Sequence, residues 1–175
     1  MDTGRYVIMG VAGAGKTLIG SRLARALGVD FAEGDDYHPP ENIARMSAGI
    51  PLNDADRQGW LAALAARIMD ARRAGTGLVV AASVLKRAYR DLLLAGDPEL
   101  RFVLLTAPRP LIAERLEHRT GHYMPPILLD SQLAILEPPS ADERAWVYDA
   151  AESPDAIVNE LARRIRRTAP AARDA

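Results

Sequence analysis

Short apolar runs alternate along the chain with longer stretches in which apolar residues return every three or four positions. The short runs, Arg5 to Met9, Val29 to Ala32, Gly77 to Ala82, Arg101 to Thr106 and Ala145 to Tyr148, predict β-strands. The longer stretches predict helices near Lys16 to Leu27, Asp54 to Ala74, Lys86 to Leu94, Arg109 to Arg119 and Pro154 to Arg167. In the first of these Leu18, Ile19, Leu23 and Leu27 recur at helical spacing and Gly28 is a natural stop. In the second, Trp60, Leu61, Leu64 and Ile68 form the buried stripe and Gly75 ends it. Strand and helix in alternation predict an α/β domain on a five-stranded, mostly parallel sheet flanked by helices. No repeat or linker divides the chain, so residues 1–175 read as a single domain, with Ala169 to Ala175 a frayed tail.

The turn after the first predicted strand carries the most informative chemistry. Gly10-Val11-Ala12-Gly13-Ala14-Gly15-Lys16-Thr17 is a complete G-x-x-x-x-G-K-[ST] loop set between a strand and a helix. Backbone N–H groups of such a loop turn inward around phosphates, and glycine reaches the required dihedrals without a Cβ clash. Lys16 supplies a cation for the β and γ phosphates, and the Thr17 hydroxyl can ligate Mg²⁺. A chance glycine-rich turn could produce the string but would not demand both flanking elements, so the loop predicts a nucleoside triphosphate site. Guanine-reading switch proteins carry an N-K-x-D segment, which this chain lacks, leaving a kinase or an ATPase. A motor ATPase would place acids after its central strand, yet Leu78 to Ala82 holds no carboxylate and runs into Ser83. The acid on the metal side must come from elsewhere, and Glu33 and Asp35 are the nearest candidates.

Composition narrows the setting. A chain of 175 residues with 49% hydrophobic and 26% charged content suits one globular domain with a full core. A net charge of −1 gives no electrostatic reason to expect nucleic acid or an anionic membrane as partner. The absence of cysteine excludes disulfides and thiolate metal sites. The longest apolar run, Leu78 to Leu85, is too short for a bilayer, and the N-terminus lacks the order of a signal peptide. The expected compartment is the cytoplasm, where ATP and Mg²⁺ are available. Arg163, Arg164, Arg166 and Arg167 read as the solvated end of a helix, since no aromatic residues interleave them.

The segment after the second predicted strand, Glu33-Gly34-Asp35-Asp36-Tyr37-His38-Pro39-Pro40-Glu41-Asn42-Ile43, is acidic and proline-rich. In a doubly wound sheet the carboxyl ends of the strands face the ligand crevice, so this cluster opens on the same side as the phosphate loop. A carboxylate there can accept the proton of an acceptor hydroxyl. A solvated turn capping the next helix is the plainer alternative, and Asp36 suits it as well as it suits function. Asp35, one step past the strand end, is the candidate base or orienter.

Taken together, the phosphate loop, the GDDYHPPENI and RMSAGIPLNDADR blocks, Leu85 to Asp91, Arg119 to Pro125, and Leu128 to Leu133 with Leu136 to Pro139 resemble gluconate kinase of the small P-loop type. The similarity runs through nearly the whole chain in order, and the DDYHPPEN and GHYMP blocks are far more discriminating than the loop. It implies a P-loop NTPase fold close to the adenylate and shikimate kinases. It further implies ATP-dependent phosphorylation of D-gluconate at its 6-hydroxyl, a homodimer, and a mobile lid. The chain departs from the usual pattern at Ala12 and Ala14, where serines are common, at Ala82, where cysteine is common, and at Gly59, where proline is common. The two loop alanines forfeit hydroxyl contacts to phosphate.

The resemblance suggests roles residue by residue. Phosphoryl transfer is mostly positioning and neutralisation of charge, a task for Lys16 and for Arg115 and Arg119, four apart on one helical face. The lid is expected over about 119–139, where Gly121, Pro125, Pro126, Pro138 and Pro139 punctuate a short helical piece from Leu128 to Leu136. Arg57 stands where shikimate kinase relatives place a substrate-binding arginine. An arginine near a helix N-terminus is disfavoured by the dipole, which asks for an anionic partner. Asp35, His38, Ser83, Lys86 and Gln132 form the expected set for the polyol hydroxyls, while Thr17 and Glu33 are expected at Mg²⁺. His118 reads as a surface or lid-packing residue. Two alternatives stay open: another small-molecule hydroxyl kinase of the shikimate kinase-like group, and a nucleotide-binding protein without transfer activity.

Overall fold

Every residue of Arg5–Met9 (β1) is buried, as a central strand covered on both faces requires. The computed structural model describes residues 2–118 and 126–168. Its other strands are Asp30–Glu33 (β2), Leu78–Ala81 (β3), Arg101–Thr106 (β4) and Ala145–Asp149 (β5). They assemble in the order β2-β3-β1-β4-β5 with every neighbouring pair parallel. All five strands stand where the apolar runs place them.

The helices are Lys16–Leu27 (α1), Pro40–Ser47 (α2), Asp54–Ala74 (α3), Arg87–Gly96 (α4), Arg109–Glu117 (α5), Pro126–Ile135 (α6) and Pro154–Thr168 (α7). Side chains alternate across β1: Val7 and Met9 join a core with Trp60, Leu61, Leu64 and Ile68 of α3. Tyr6 and Ile8 join a second core with Ile19 and Leu23 of α1 and Leu161 and Ile165 of α7. Gly28 and Gly75 terminate α1 and α3 in the left-handed conformation, at φ 69° and 67°. The start of α3 is a capping box in which Asn53 Oδ1 accepts from Asp56 N–H at 2.8 Å and Asp56 Oδ2 accepts from Asn53 N–H at 2.9 Å.

Two elements were not expected, a 3-10 turn over Gly34–Tyr37 and α2 itself. The Pro39-Pro40 pair reads as a loop, yet Pro40 sits at the first helical position, where its missing N–H costs nothing. The one fully buried side chain of α2 is Asn42 rather than an aliphatic residue, so the usual apolar stripe is absent. Helix α5 ends at Glu117, and the expected catalytic Arg119, His122 and the first part of the expected lid lie outside the described residues, as does the tail 169–175. Among the described residues no helix is long and apolar enough to cross a membrane.

Candidate active site

The phosphate loop leaves β1 at Gly10, whose φ of 147° and close approach to the Leu105 carbonyl both exclude a side chain. At Gly13, φ 80°, an added Cβ would lie 3.0 Å from both Ile112 and Leu116, so glycine is what lets α5 pack onto the loop. The Lys16 ammonium reaches back across the loop to the Val11 carbonyl at 3.0 Å. One residue on, the Thr17 hydroxyl donates to Glu33 Oε2 at 2.5 Å, which joins the start of α1 to the end of β2.

A cleft of about 300 Å³ opens above the carboxyl ends of the strands. Lys16, Thr17 and Glu33 line it together with Asp35, His38 and Arg57, and Ser83, Arg115 and Gln132 complete the wall. The 3-10 turn holding Asp35 is pressed against β3: a Cβ on Gly34 would lie 2.4 Å from the Ala81 carbonyl oxygen. Above it, the Trp60 indole N–H donates to the Gly34 carbonyl at 2.8 Å. His38 stacks on the Trp60 ring with centroids 4.5 Å apart and planes 10° from parallel. Burial lowers the His38 pKa, an effect that Asp35 opposes and Arg57 reinforces.

Arg57 turns into the cleft from the first turns of α3. Its Nη1 donates to the Leu52 carbonyl at 2.6 Å and to the Tyr89 hydroxyl at 3.3 Å, and its guanidinium lies over the Tyr89 ring at 5.7 Å. Lys86 does not line the cleft. Its ammonium binds both oxygens of Asp54, at 2.8 and 3.0 Å, and the Tyr89 hydroxyl also donates to that carboxylate. These hydrogen bonds from Lys86 and Tyr89 hold Asp54 below the usual carboxylate range, and the same bond to Asp54 raises the Lys86 pKa. Arg115 donates from Nη2 to the Ala150 carbonyl at 2.7 Å, and Gln132 Oε1 accepts from Ala12 N–H at 2.7 Å.

The family model for shikimate kinase matches residues 12–166. A probable gluconokinase of Xenopus tropicalis is 46% identical over 170 residues, covering 89% of this chain and 90% of that protein. The gluconokinase of Gluconobacter oxydans (strain 621H) is 45% identical over 157 residues, covering 90% and 88%. The crystal structure of a gluconokinase from Sinorhizobium meliloti 1021 superposes with a TM-score of 0.86 at 45% identity, covering 95% of this chain and 94% of the other. This chain belongs to the gluconokinase family.

Membership makes it a phosphate-loop kinase, and the kinase family implies ATP use. Within this gluconokinase fold the structure gathers Lys16, Thr17, Glu33, Asp35, His38, Arg57, Ser83, Arg115 and Gln132 around one cleft, while Lys86 is paired with Asp54 outside that lining. Trp60 reads in the sequence only as a core residue, because its position fits the stripe of α3; its indole N–H, which must find an acceptor when buried, is the signal that would have tied it to the site. Asn42 and Tyr89 carry no such signal. Asn42 lies 3.3 Å from His38 Nδ1 and donates to the Asp56 carbonyl at 2.7 Å, the second a contact that exists only once α2 has docked on α3.

Proposed function

We propose that the chain transfers the γ-phosphoryl group of ATP to the 6-hydroxyl of D-gluconate, giving 6-phosphogluconate and ADP. The observation that carries this is one cleft lined both by the phosphate loop and by Asp35 and Arg57, in a chain 40–46% identical to gluconokinases. Lys16 neutralises charge on the transferred group, and the loop N–H groups hold the phosphates. Asp35 accepts the proton of the 6-hydroxyl or orients it for attack. Arg57, held by Leu52 and Tyr89, binds the sugar-acid carboxylate as a paired ion, and His38 and Ser83 contact the polyol hydroxyls. Lys86, held on Asp54 by two bonds, still has a third N–H to offer the substrate.

The hard oxygen donors Thr17 Oγ1 and Glu33 Oε2, already adjacent, suit Mg²⁺, which takes few protein ligands and completes its shell with phosphate and water. Bound there, Mg²⁺ would supply charge neutralisation on the phosphates. Arg115 and Arg119 complete the cationic side, with Arg119 carried by a lid over about 119–139 that closes over the nucleotide and excludes water. A homodimer working in the cytoplasm and a single domain over 1–175 belong to the same reading.

The test is ADP release in a coupled assay with gluconate present and absent, for wild type and Lys16→Ala. Gluconate-dependent turnover that Lys16→Ala abolishes, in a variant with an unchanged unfolding transition, is expected. Turnover on shikimate or a nucleoside instead, or ADP release independent of any acceptor, overturns the assignment.

A further inference from the structure

One backbone donor of the phosphate loop is bonded to a side chain 120 residues away: Ala12 N–H to Gln132 Oε1 at 2.7 Å. Because a backbone N–H can only donate, the amide oxygen must be the atom facing Ala12, and the amide nitrogen is turned away from it. No described residue accepts from that nitrogen, and the side chain lines the cleft together with Lys16, Thr17 and Arg115. Its position is built in from several directions. Leu129 of α6 is buried against Val11, Ile112 and Leu116. Asp130 pairs with Arg109 through bonds of 2.8 and 3.1 Å. Just beyond the helix, Glu137 N–H donates to the Leu85 carbonyl at 2.9 Å.

We propose that Gln132 is a direct contact for the terminal phosphoryl group of the nucleotide rather than for the sugar acid. Its oxygen is tethered by Ala12, and its amide nitrogen donates to a γ-phosphoryl oxygen. The tether favours phosphate over acceptor because it draws the amide onto the loop that cradles the phosphates. The loop itself has alanines at 12 and 14, which bring no side-chain hydroxyl to this position. A neutral donor adds a charge-assisted hydrogen bond without the desolvation cost of another cation. The inference rests on the kinase reading of the loop but not on the identity of the acceptor.

The deciding experiment compares the binding of a β,γ-imido ATP analogue and of ADP by calorimetry in wild type, Gln132→Met and Gln132→Glu. A hydrogen bond to a charged oxygen predicts a loss of roughly 10-fold or more in affinity for the triphosphate analogue in Gln132→Met, with ADP affinity changed by less than about 3-fold. Gln132→Glu keeps an acceptor for Ala12 but faces the phosphate with negative charge, so its loss for the triphosphate is expected to be larger still. Equal weakening of both nucleotides overturns the proposal in favour of a support for the loop. Unchanged binding of both, with a raised KM for gluconate, overturns it in favour of an acceptor contact. The two calorimetric readouts use no turnover of gluconate, so failure of the gluconokinase assignment would appear in the ADP-release assay and leave them unaffected.

Discussion

The buried indole N–H of Trp60 donates to the carbonyl of Gly34 at 2.8 Å and so ties the core helix α3 to the turn that carries Asp35. Trp60→Phe keeps an aromatic ring beside His38 but leaves a buried carbonyl without its donor. The expected cost is about 1–3 kcal/mol in denaturant unfolding, with kcat reduced more than the KM for ATP because the Asp35 turn loosens. A variant that loses stability and keeps kcat would show that the turn is held by its other contacts.

Asp35 is exposed and lines the same cleft as Lys16. Asp35→Asn keeps the shape of the side chain and removes its basicity, so kcat should fall by roughly 10² to 10⁴ with nucleotide affinity little changed. Steady-state kinetics paired with ATP-analogue binding distinguish the roles. An equal loss of nucleotide affinity would move Asp35 to the metal.

Arg90 and Glu143 form an ion pair from which solvent is excluded, with bonds of 2.5 and 3.0 Å, and Arg90 Nη1 also donates to the Leu85 carbonyl at 3.1 Å. The pair joins α4, the segment after Ser83 and the approach to β5. Arg90→Met leaves the Glu143 carboxylate with only Ser140 and the more distant Arg87 guanidinium at 3.8 Å, and a loss of up to about 3 kcal/mol in unfolding free energy is expected. Arg90→Met combined with Glu143→Leu should recover part of it, because the double variant leaves no unpaired buried charge. Equal stability of the single and double variants would contradict this account.

His38 has a pKa lowered by burial from the ordinary value of 6.5, and Asn42 lies in position to donate to its Nδ1, which requires that nitrogen to be unprotonated. The unfolded chain therefore takes up the proton more readily than the folded one. The stability that His38 contributes is complete above the unfolded value and is lost as pH falls through the folded value. Urea midpoints measured from about pH 7 to about pH 5 should decline, and His38→Gln should show a shallower decline across that window. Identical slopes in the two proteins would refute the prediction.

Much of this was legible in the order of residues because the signals are local. A strand buried on both faces must be a continuous apolar run, a helix on that sheet must return an apolar side chain each turn, and a loop of the Gly10 to Thr17 pattern has one well-matched use. The acidic block after β2 could also be assigned to the ligand side, since the polarity of a parallel sheet sends every strand end to the same edge. Helix α2 escaped because its buried face is polar, and the pairing of Lys86, expected among the contacts of the polyol hydroxyls, with Asp54 escaped because the two lie 32 residues apart.

The sequence by itself determined the sheet, most of its helices, the phosphate loop and the family. Only the tertiary structure decided which side chains share the cleft. Spacing along the chain says which face of an element a residue occupies, but Gln132 on Ala12, Trp60 on Gly34 and Lys86 on Asp54 are hydrogen bonds between separate elements. Their partners are chosen by how α3, α4 and α6 pack against the sheet and the loop, and packing is a property of the assembled whole.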